Sequence, residues 1–129
     1  MNVARLAASR STCLRLSVGC VLVVDNRIVA TGYNGSAPGQ PHCEDAGCVL
    51  SEDSCQRAIH AEANAIGQTA RKGVSVDGGT AYVTHTPCLH CGKVLAASGI
   101  KRVIVESAYG SHGTLLETLY GLEITYAGI

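Results

Sequence analysis

Four residues in two short stretches of the sequence have side chains suited to metal chemistry. His60 and Glu62 stand in "HAE", and Cys88 and Cys91 form the C-x-x-C of "PCLHC". Residues two apart on a helix do not face each other, so His60 and Glu62 can meet only on something beyond the helix end. One histidine and two thiolates leave the fourth tetrahedral position of zinc open for water, which is typical of a catalytic site.

In such a site Glu62 needs no contact with the metal. It is predicted to take a proton from the water and pass it to a ring nitrogen and a leaving amine. Each motif has a different interpretation when it is considered alone. The histidine would then be a helix cap, the glutamate would interact with the helix dipole, and the C-x-x-C would be a redox motif. A zinc-stabilised binding module is a further alternative, against which Glu62 argues. Together the stretches match the H-x-E…P-C-x-x-C signature of zinc deaminases.

A second group of cysteines lies in a long segment without clear periodicity. Residues 34–56 hold two of the three prolines together with Cys43, Cys48 and Cys55. Loops of this length are uncommon in compact domains unless they are anchored, so we predict a structural metal. A fourth ligand must come from elsewhere. The alternatives are three free thiols, or His42 in place of one cysteine.

Hydrophobic periodicity places these stretches on an α/β framework. Helices are predicted over about 2–12, over about 58–72, and in "PCLHCGKVLAASG" and "GTLLETLYG". Strands are predicted in "VGCVLVV", "RIVATGY", "TAYVTH", "IKRVIVES" and "LEITYAG", the first two forming a hairpin around Asp25-Asn26. The order predicts a mixed five-stranded sheet with parallel later strands and helices on both faces.

Composition restricts the class of protein further. The 129 residues suit one domain, 1–129, and their apolar fraction of 47% suits a compact core. Ten basic residues balance ten acidic ones, so we expect neither nucleic acid nor an anionic membrane as a partner. No run is long and apolar enough for a membrane span, and no export signal is recognisable. We therefore expect a soluble, cytoplasmic protein.

The chain resembles the cytidine deaminase superfamily, and within it the deoxycytidylate (dCMP) deaminases. The stretches that carry the resemblance are "STCLRLSVGCVLV", "IVATGYNGSAPGQPHC", "RAIHAEANAI", "GTAYVTHTPCLHCGKVL" and "SGIKRVIV". The resemblance implies a three-layer α/β/α fold, a zinc site of His60, Cys88 and Cys91, and Glu62 as the proton shuttle.

The same resemblance implies contacts with the substrate. The backbone N–H of Ala61 would meet the pyrimidine 2-oxo group, Asn34 the sugar 3′-hydroxyl, and Thr31 and Gly32 the floor of the pocket. The implied reaction is the hydrolysis of dCMP to dUMP and ammonia, in which a zinc-activated hydroxide adds to C4. Rival substrates are another cytosine nucleoside or nucleotide, and adenosine in tRNA, against which the balanced charge argues.

The resemblance also bears on the second metal and on assembly. It implies a structural zinc held by Cys13, Cys43, Cys48 and Cys55, and it leaves Cys20 in the core. It further implies a homo-oligomer such as a hexamer, with dCTP and dTTP as effectors.

The sequence after Glu106 departs from the family pattern. The candidates for a contact with the 5′-phosphate are Arg15, Arg57 and Lys93, the basic residues nearest the matching motifs. The residues alone do not choose between them.

Overall fold

The computed structural model describes residues 1–52 and 54–127. Its helices are α1 (Asn2–Ala8), α2 (Cys43–Ala46), α3 (Ala61–Lys72), α4 (Leu89–Ala97) and α5 (Gly113–Tyr120). Its strands are β1 (Gly19–Val24), β2 (Arg27–Tyr33), β3 (Leu50–Ser51), β4 (Ser54–Cys55), β5 (Thr80–His85), β6 (Arg102–Ser107) and β7 (Glu123–Tyr126).

Five strands form one mixed sheet in the order β2-β1-β5-β6-β7. Strand β1 is antiparallel to β2 and β5, whereas β5, β6 and β7 are parallel. The hairpin turns at Asp25 and Asn26, whose φ angles of 50° and 63° suit a tight two-residue turn. Helices α4 and α5 provide the crossovers that parallel strands require. The predicted mixed sheet is confirmed.

Helices cover both faces of this sheet, as predicted. A Cβ added to Gly19 would lie 1.9 Å from the carbonyl oxygen of Ala4, so α1 packs directly against β1 at this point. The next residue, Cys20, pairs with Gly32 across the hairpin, and Gly32 contacts the start of α3. Neighbouring residues of a strand point to opposite faces, so α1 and α3 lie on opposite sides of the sheet. Helix α4 packs between α3 and α5.

Replacing Gly32 with alanine is expected to lower the free energy of unfolding by about 1–3 kcal/mol. The added Cβ would lie 2.2 Å from the carbonyl oxygen of Ala61 and 2.7 Å from the amide nitrogen of Ala65. Both are backbone atoms of α3, so no side-chain rotation can relieve the contact. Urea unfolding measures the loss.

A matched control is Gly67→Ala on α3, where an added Cβ would have no atom within 4 Å. Because alanine favours helix over glycine, this variant should be as stable as the original or more stable by up to about 1 kcal/mol. A Gly32→Ala protein as stable as the original would contradict the close approach of α3 and β2.

Two helix boundaries differ from the sequence prediction for identifiable reasons. Helix α1 ends at Ala8, because the Ser11 hydroxyl and the Thr12 amide both donate to the carbonyl oxygen of Asn34. Helix α3 begins at Ala61 rather than about residue 58. Ile59 exchanges two backbone hydrogen bonds with Gly35, which keep it extended.

The long segment 34–56 contains structure that its composition did not predict. The one-turn helix α2 and the hairpin β3–β4 both lie within it. Both are too short to show hydrophobic periodicity, so the pattern of the sequence could not reveal them. No helix in the described part of the chain is long and apolar enough to span a membrane.

Candidate active site

The beginnings of α3 and α4 bring the predicted catalytic ligands together. His60 is the N-cap of α3 and Cys88 the N-cap of α4, and neither side chain caps its own helix. His60 Nδ1 lies 3.4 Å from Cys91 Sγ and 3.6 Å from Cys88 Sγ. Ligand atoms on one tetrahedral zinc ion are about 3.6 Å apart, as its usual bond lengths require. The three side chains therefore fit a single zinc ion.

The protonation of these ligands also suits a cation. The hydrogen bond from Cys91, followed by that from His60, lowers the pKa of the Cys88 thiol to about 3. The same contact with Cys88, together with burial, raises the pKa of Cys91. The hydrogen bond to Cys88 raises the pKa of His60. A bound divalent ion would deprotonate both thiols, because thiols that coordinate a metal lose their protons.

Glu62 lies next to this group in the first turn of α3. Its side chain is only 4% exposed, and burial raises the pKa of its carboxyl group, while the hydrogen bond with Cys91 acts in the opposite direction. A carboxyl group with a raised pKa can both accept and return a proton near neutral pH. The geometry is therefore compatible with the proton-shuttle role predicted for Glu62.

A cavity of about 420 Å³ opens in front of the four residues, and His60, Glu62 and Cys88 form part of its wall. Strand pairing explains which segments complete the wall. The start of β1 lies beside the end of β5, and the end of β5 lies beside the end of β6. The segment before β1 and the loops after β5 and β6 therefore leave the sheet at one edge.

The predicted substrate contacts divide into two groups. Ala61 and Asn34 line the cavity, and Ala61 is the first residue of α3, whose amide has no partner within the helix. Thr31 and Gly32 do not line it. Thr31 is exposed and its amide donates to Gln68 Oε1, whereas Gly32 lies beneath α3. The expectation that these two residues form the pocket floor is not met.

Asn34 is buried and has a structural task in addition to its place in the wall. Its Nδ2 donates to the carbonyl oxygen of Leu16 at 2.6 Å, and its Oδ1 accepts from the amide of Val18 at 2.9 Å. These bonds hold the segment before β1 against the end of β2. Asn34 therefore shapes the cavity through the backbone of that segment.

Among the wall residues that were not predicted, three carry rings: His85, Tyr109 and His112. The rings of His85 and Tyr109 meet edge to face with centroids 6.1 Å apart, and the Tyr109 amide donates to the Thr86 hydroxyl at 3.0 Å. These contacts fix the loop after β6 against the end of β5. No spacing in the sequence connects the three residues. Tyr109 and His112 belong to the region after Glu106 that departs from the family pattern, whereas His85 lies at the end of β5.

The structure brings together three of the four cysteines that were predicted to bind the structural zinc ion. The Sγ atoms of Cys43, Cys48 and Cys55 lie within 4.8 Å of one another, and those of Cys43 and Cys55 are 3.6 Å apart. Cys13 is not in this group; its Sγ accepts a hydrogen bond from the Arg15 amide at 3.4 Å. The predicted set of four cysteines is thus not brought together. The backbone turn at Cys13 holds its thiol to its own segment instead.

His42, the alternative fourth ligand, is also outside the group. Its Nδ1 is 3.0 Å from the hydroxyl oxygen of Thr12.

The local electrostatics of the three thiols favour a metal thiolate at Cys55. Burial acts to raise its pKa, but hydrogen bonds from backbone N–H groups, first that of Ala58, lower it to about 6. Burial and the hydrogen bond with Cys55 raise the pKa of Cys43 to about 12. As at the first site, a cation would relieve this crowding of thiols.

The expectation that Cys20 lies in the core is confirmed. Cys20 is completely buried in the hydrophobic core, and burial raises its pKa well above the usual value. His85 and His90 belong to neither group of potential ligands, and His90 is exposed.

Known proteins that resemble this chain include deaminases with a zinc-binding region, in agreement with the predicted zinc site. Residues 1–107 match the family described as the cytidine and deoxycytidylate deaminase zinc-binding region. The chain is 50% identical over 112 residues to ComE operon protein 2 of Bacillus subtilis, covering 87% of this chain and 59% of that protein. It is 40% identical to the deoxycytidylate deaminase of Mycobacterium phage D29, covering 81% of this chain and 88% of the phage protein.

A solved structure resembles the fold over almost its whole length. It is the dCMP deaminase of cyanophage S-TIM5 in complex with dCMP and dUMP, with a TM-score of 0.85 and 31% identity. The match covers 99% of this chain and 92% of that one. By contrast, the chain spans 59% of the Bacillus protein and 41% of the deoxycytidylate deaminase of Schizosaccharomyces pombe. On these matches, the chain belongs to the cytidine and deoxycytidylate deaminase zinc-binding family.

Proposed function

We propose that the protein is a zinc-dependent hydrolase that converts dCMP to dUMP and ammonia. One observation carries the proposal. The potential zinc ligands His60, Cys88 and Cys91 are grouped at a cavity whose wall also contains the buried carboxyl group of Glu62. Similarity to a phage enzyme whose structure holds dCMP and dUMP supports this choice of substrate.

His60, Cys88 and Cys91 would hold the zinc ion. Zinc in such a site lowers the pKa of water to near neutrality and so supplies a nucleophile at physiological pH. Glu62 would accept one proton of the attacking water and deliver it to N3 of the cytosine ring. The second proton of that water, left on the C4 hydroxyl group, would then pass through Glu62 to the departing amine, which leaves as ammonia. The burial of Glu62 keeps bulk water away from these transfers and raises its pKa toward that of the groups it serves.

Two further residues would orient the nucleotide. The amide of Ala61, unpaired within α3, is directed by its helix position to donate to the 2-oxo group of the pyrimidine. Asn34 would meet the sugar 3′-hydroxyl with the hydrogen-bonding capacity that its contacts with Leu16 and Val18 leave over.

The proposal includes a second, structural zinc ion held by Cys43, Cys48 and Cys55. Cys13 would complete the set by rotating its side chain away from the Arg15 amide. Cys13 and Cys55 line the same cavity, which supports their proximity. The family resemblance supports a homo-oligomer such as a hexamer, and control by dCTP and dTTP.

The substrate is tested by measuring ammonia release from the purified, zinc-loaded protein with dCMP, CMP, deoxycytidine and dCTP in parallel. We expect kcat/KM to be highest for dCMP. Pre-treatment with a zinc chelator should abolish turnover. Removal of the zinc ion removes the group that activates the water molecule for attack. Preference for deoxycytidine, or no activity on any of the four, would contradict the proposed substrate.

A further inference from the structure

We propose that Arg15 and His112 bind the 5′-phosphate of the nucleotide and thereby select nucleoside monophosphates over nucleosides. This inference rests on the proposed deaminase function. Both residues line the cavity that also contains His60 and Glu62. They come from parts of the chain almost one hundred positions apart, and one of them lies in the loop that departs from the family pattern.

The topology of the sheet places the two residues at the same edge. Arg15 lies in the segment that leads into β1, whose Cys20 pairs with Val83 of β5. His112 lies in the loop that follows β6, whose Ser107 pairs with the end of β5. The two segments therefore leave the sheet on either side of the end of β5.

The proposed chemistry determines which end of the cavity the phosphate occupies. The amine at C4 must reach Glu62, whose side chain is buried. The 5′-phosphate is at the opposite end of the nucleotide, so it must lie toward the open side of the cavity. The wall residues Arg15 and Tyr109 are exposed there, and His112 is partly exposed. A phosphate at this position stays partly solvated, which lowers the cost of binding a dianion.

The distribution of charged residues leaves one lysine or arginine side chain that can bind the phosphate. Arg15 is the only lysine or arginine of the described cavity wall, and Glu62, at the metal end, is its only carboxylate. The other two candidates lie elsewhere: Nε of Arg57 donates to the carbonyl oxygen of Gly47, and Lys93 is exposed on α4 outside the wall. A guanidinium presents a fork of N–H donors that matches two phosphate oxygens.

The position of His112 makes its imidazole available to a ligand. His112 is the N-cap of α5, but its side chain makes no capping hydrogen bond. The preceding turn brings Gly110 under the ring: a Cβ added to Gly110 would lie 3.2 Å from Cδ2 of His112. Gly110 has φ 67°, a conformation that favours glycine. The loop thus places the ring against the cavity, and an imidazole N–H can donate to a phosphate oxygen.

The test compares kcat/KM for dCMP and deoxycytidine in Arg15→Met, His112→Ala and Lys93→Met proteins. Arg15→Met should lower kcat/KM for dCMP by about 10- to 100-fold, mainly through KM, because a charge-assisted hydrogen-bond pair is lost. The loss on deoxycytidine should be much smaller. His112→Ala should act in the same direction, and His112→Asn, which keeps an N–H donor, should lose less. Lys93→Met should leave the ratio of the two substrates unchanged.

Inorganic phosphate provides a readout that does not depend on nucleotide turnover. It should bind the original protein, as measured by calorimetry, and bind the Arg15→Met protein at least about tenfold more weakly. Equal losses on both substrates, or an undiminished preference for dCMP in Arg15→Met, would overturn the phosphate assignment and leave the deaminase proposal intact. An original protein that deaminates neither substrate would instead refute the proposed function, and the inference with it.

Discussion

A Glu62→Gln protein is expected to lose turnover by about 10²- to 10⁴-fold, the usual contribution of a positioned general acid–base. Glutamine has nearly the same shape and can still occupy the buried site, but it cannot accept a proton from water or return one to the leaving amine. The metal should remain, because Glu62 is not among the three side chains grouped as potential ligands. The expected result is therefore an inactive protein with its zinc retained.

The measurement combines steady-state ammonia release with zinc content by atomic absorption. A suitable control is Glu117→Gln, which makes the same change at an exposed position of α5 and should keep full activity. Full activity of Glu62→Gln would refute the proposed mechanism. Loss of zinc together with activity would instead assign Glu62 to holding the metal.

A Cys43→Ser protein is expected to lose one of about two zinc equivalents and to unfold more easily. Cys43 is buried and lies 3.6 Å from Cys55 between their Sγ atoms, so its removal leaves the proposed second site without a central ligand. A metal present at 1,000 times its dissociation constant stabilises the folded state by about 4 kcal/mol, and this contribution would disappear. The catalytic zinc, held by different residues, should stay.

The matched control is Cys20→Ser, which also changes a buried cysteine but one that lies in the core, outside both thiol groups. It should keep both zinc equivalents, although a hydroxyl group in the core lowers stability. Zinc content and thermal unfolding of the two variants are compared with those of Cys13→Ser, which should resemble Cys43→Ser. Equal zinc loss in Cys43→Ser and Cys20→Ser would contradict this division of the cysteines.

Much of the fold and the centre of the site could be predicted from the sequence. The strands and the later helices have clear periodicity, and Asp25-Asn26 marks the hairpin. His60 and Cys88 each stand directly before a predicted helix, so local structure alone places their side chains at helix beginnings. Two such beginnings with complementary ligands can be matched without knowledge of the tertiary contacts. The grouping of His60, Cys88 and Cys91 beside Glu62 is therefore predictable from residue type and spacing.

What only the tertiary structure decided depends on contacts between distant segments. Gly32 lies outside the cavity because β2 presents it to the backbone of α3. Thr31, the preceding residue, is exposed, and its amide donates to Gln68. The arrival of Arg15 and His112 in one cavity follows from the pairing of β1, β5 and β6. Hydrophobic periodicity reports the faces of single elements; it cannot report which loops a sheet brings to the same edge.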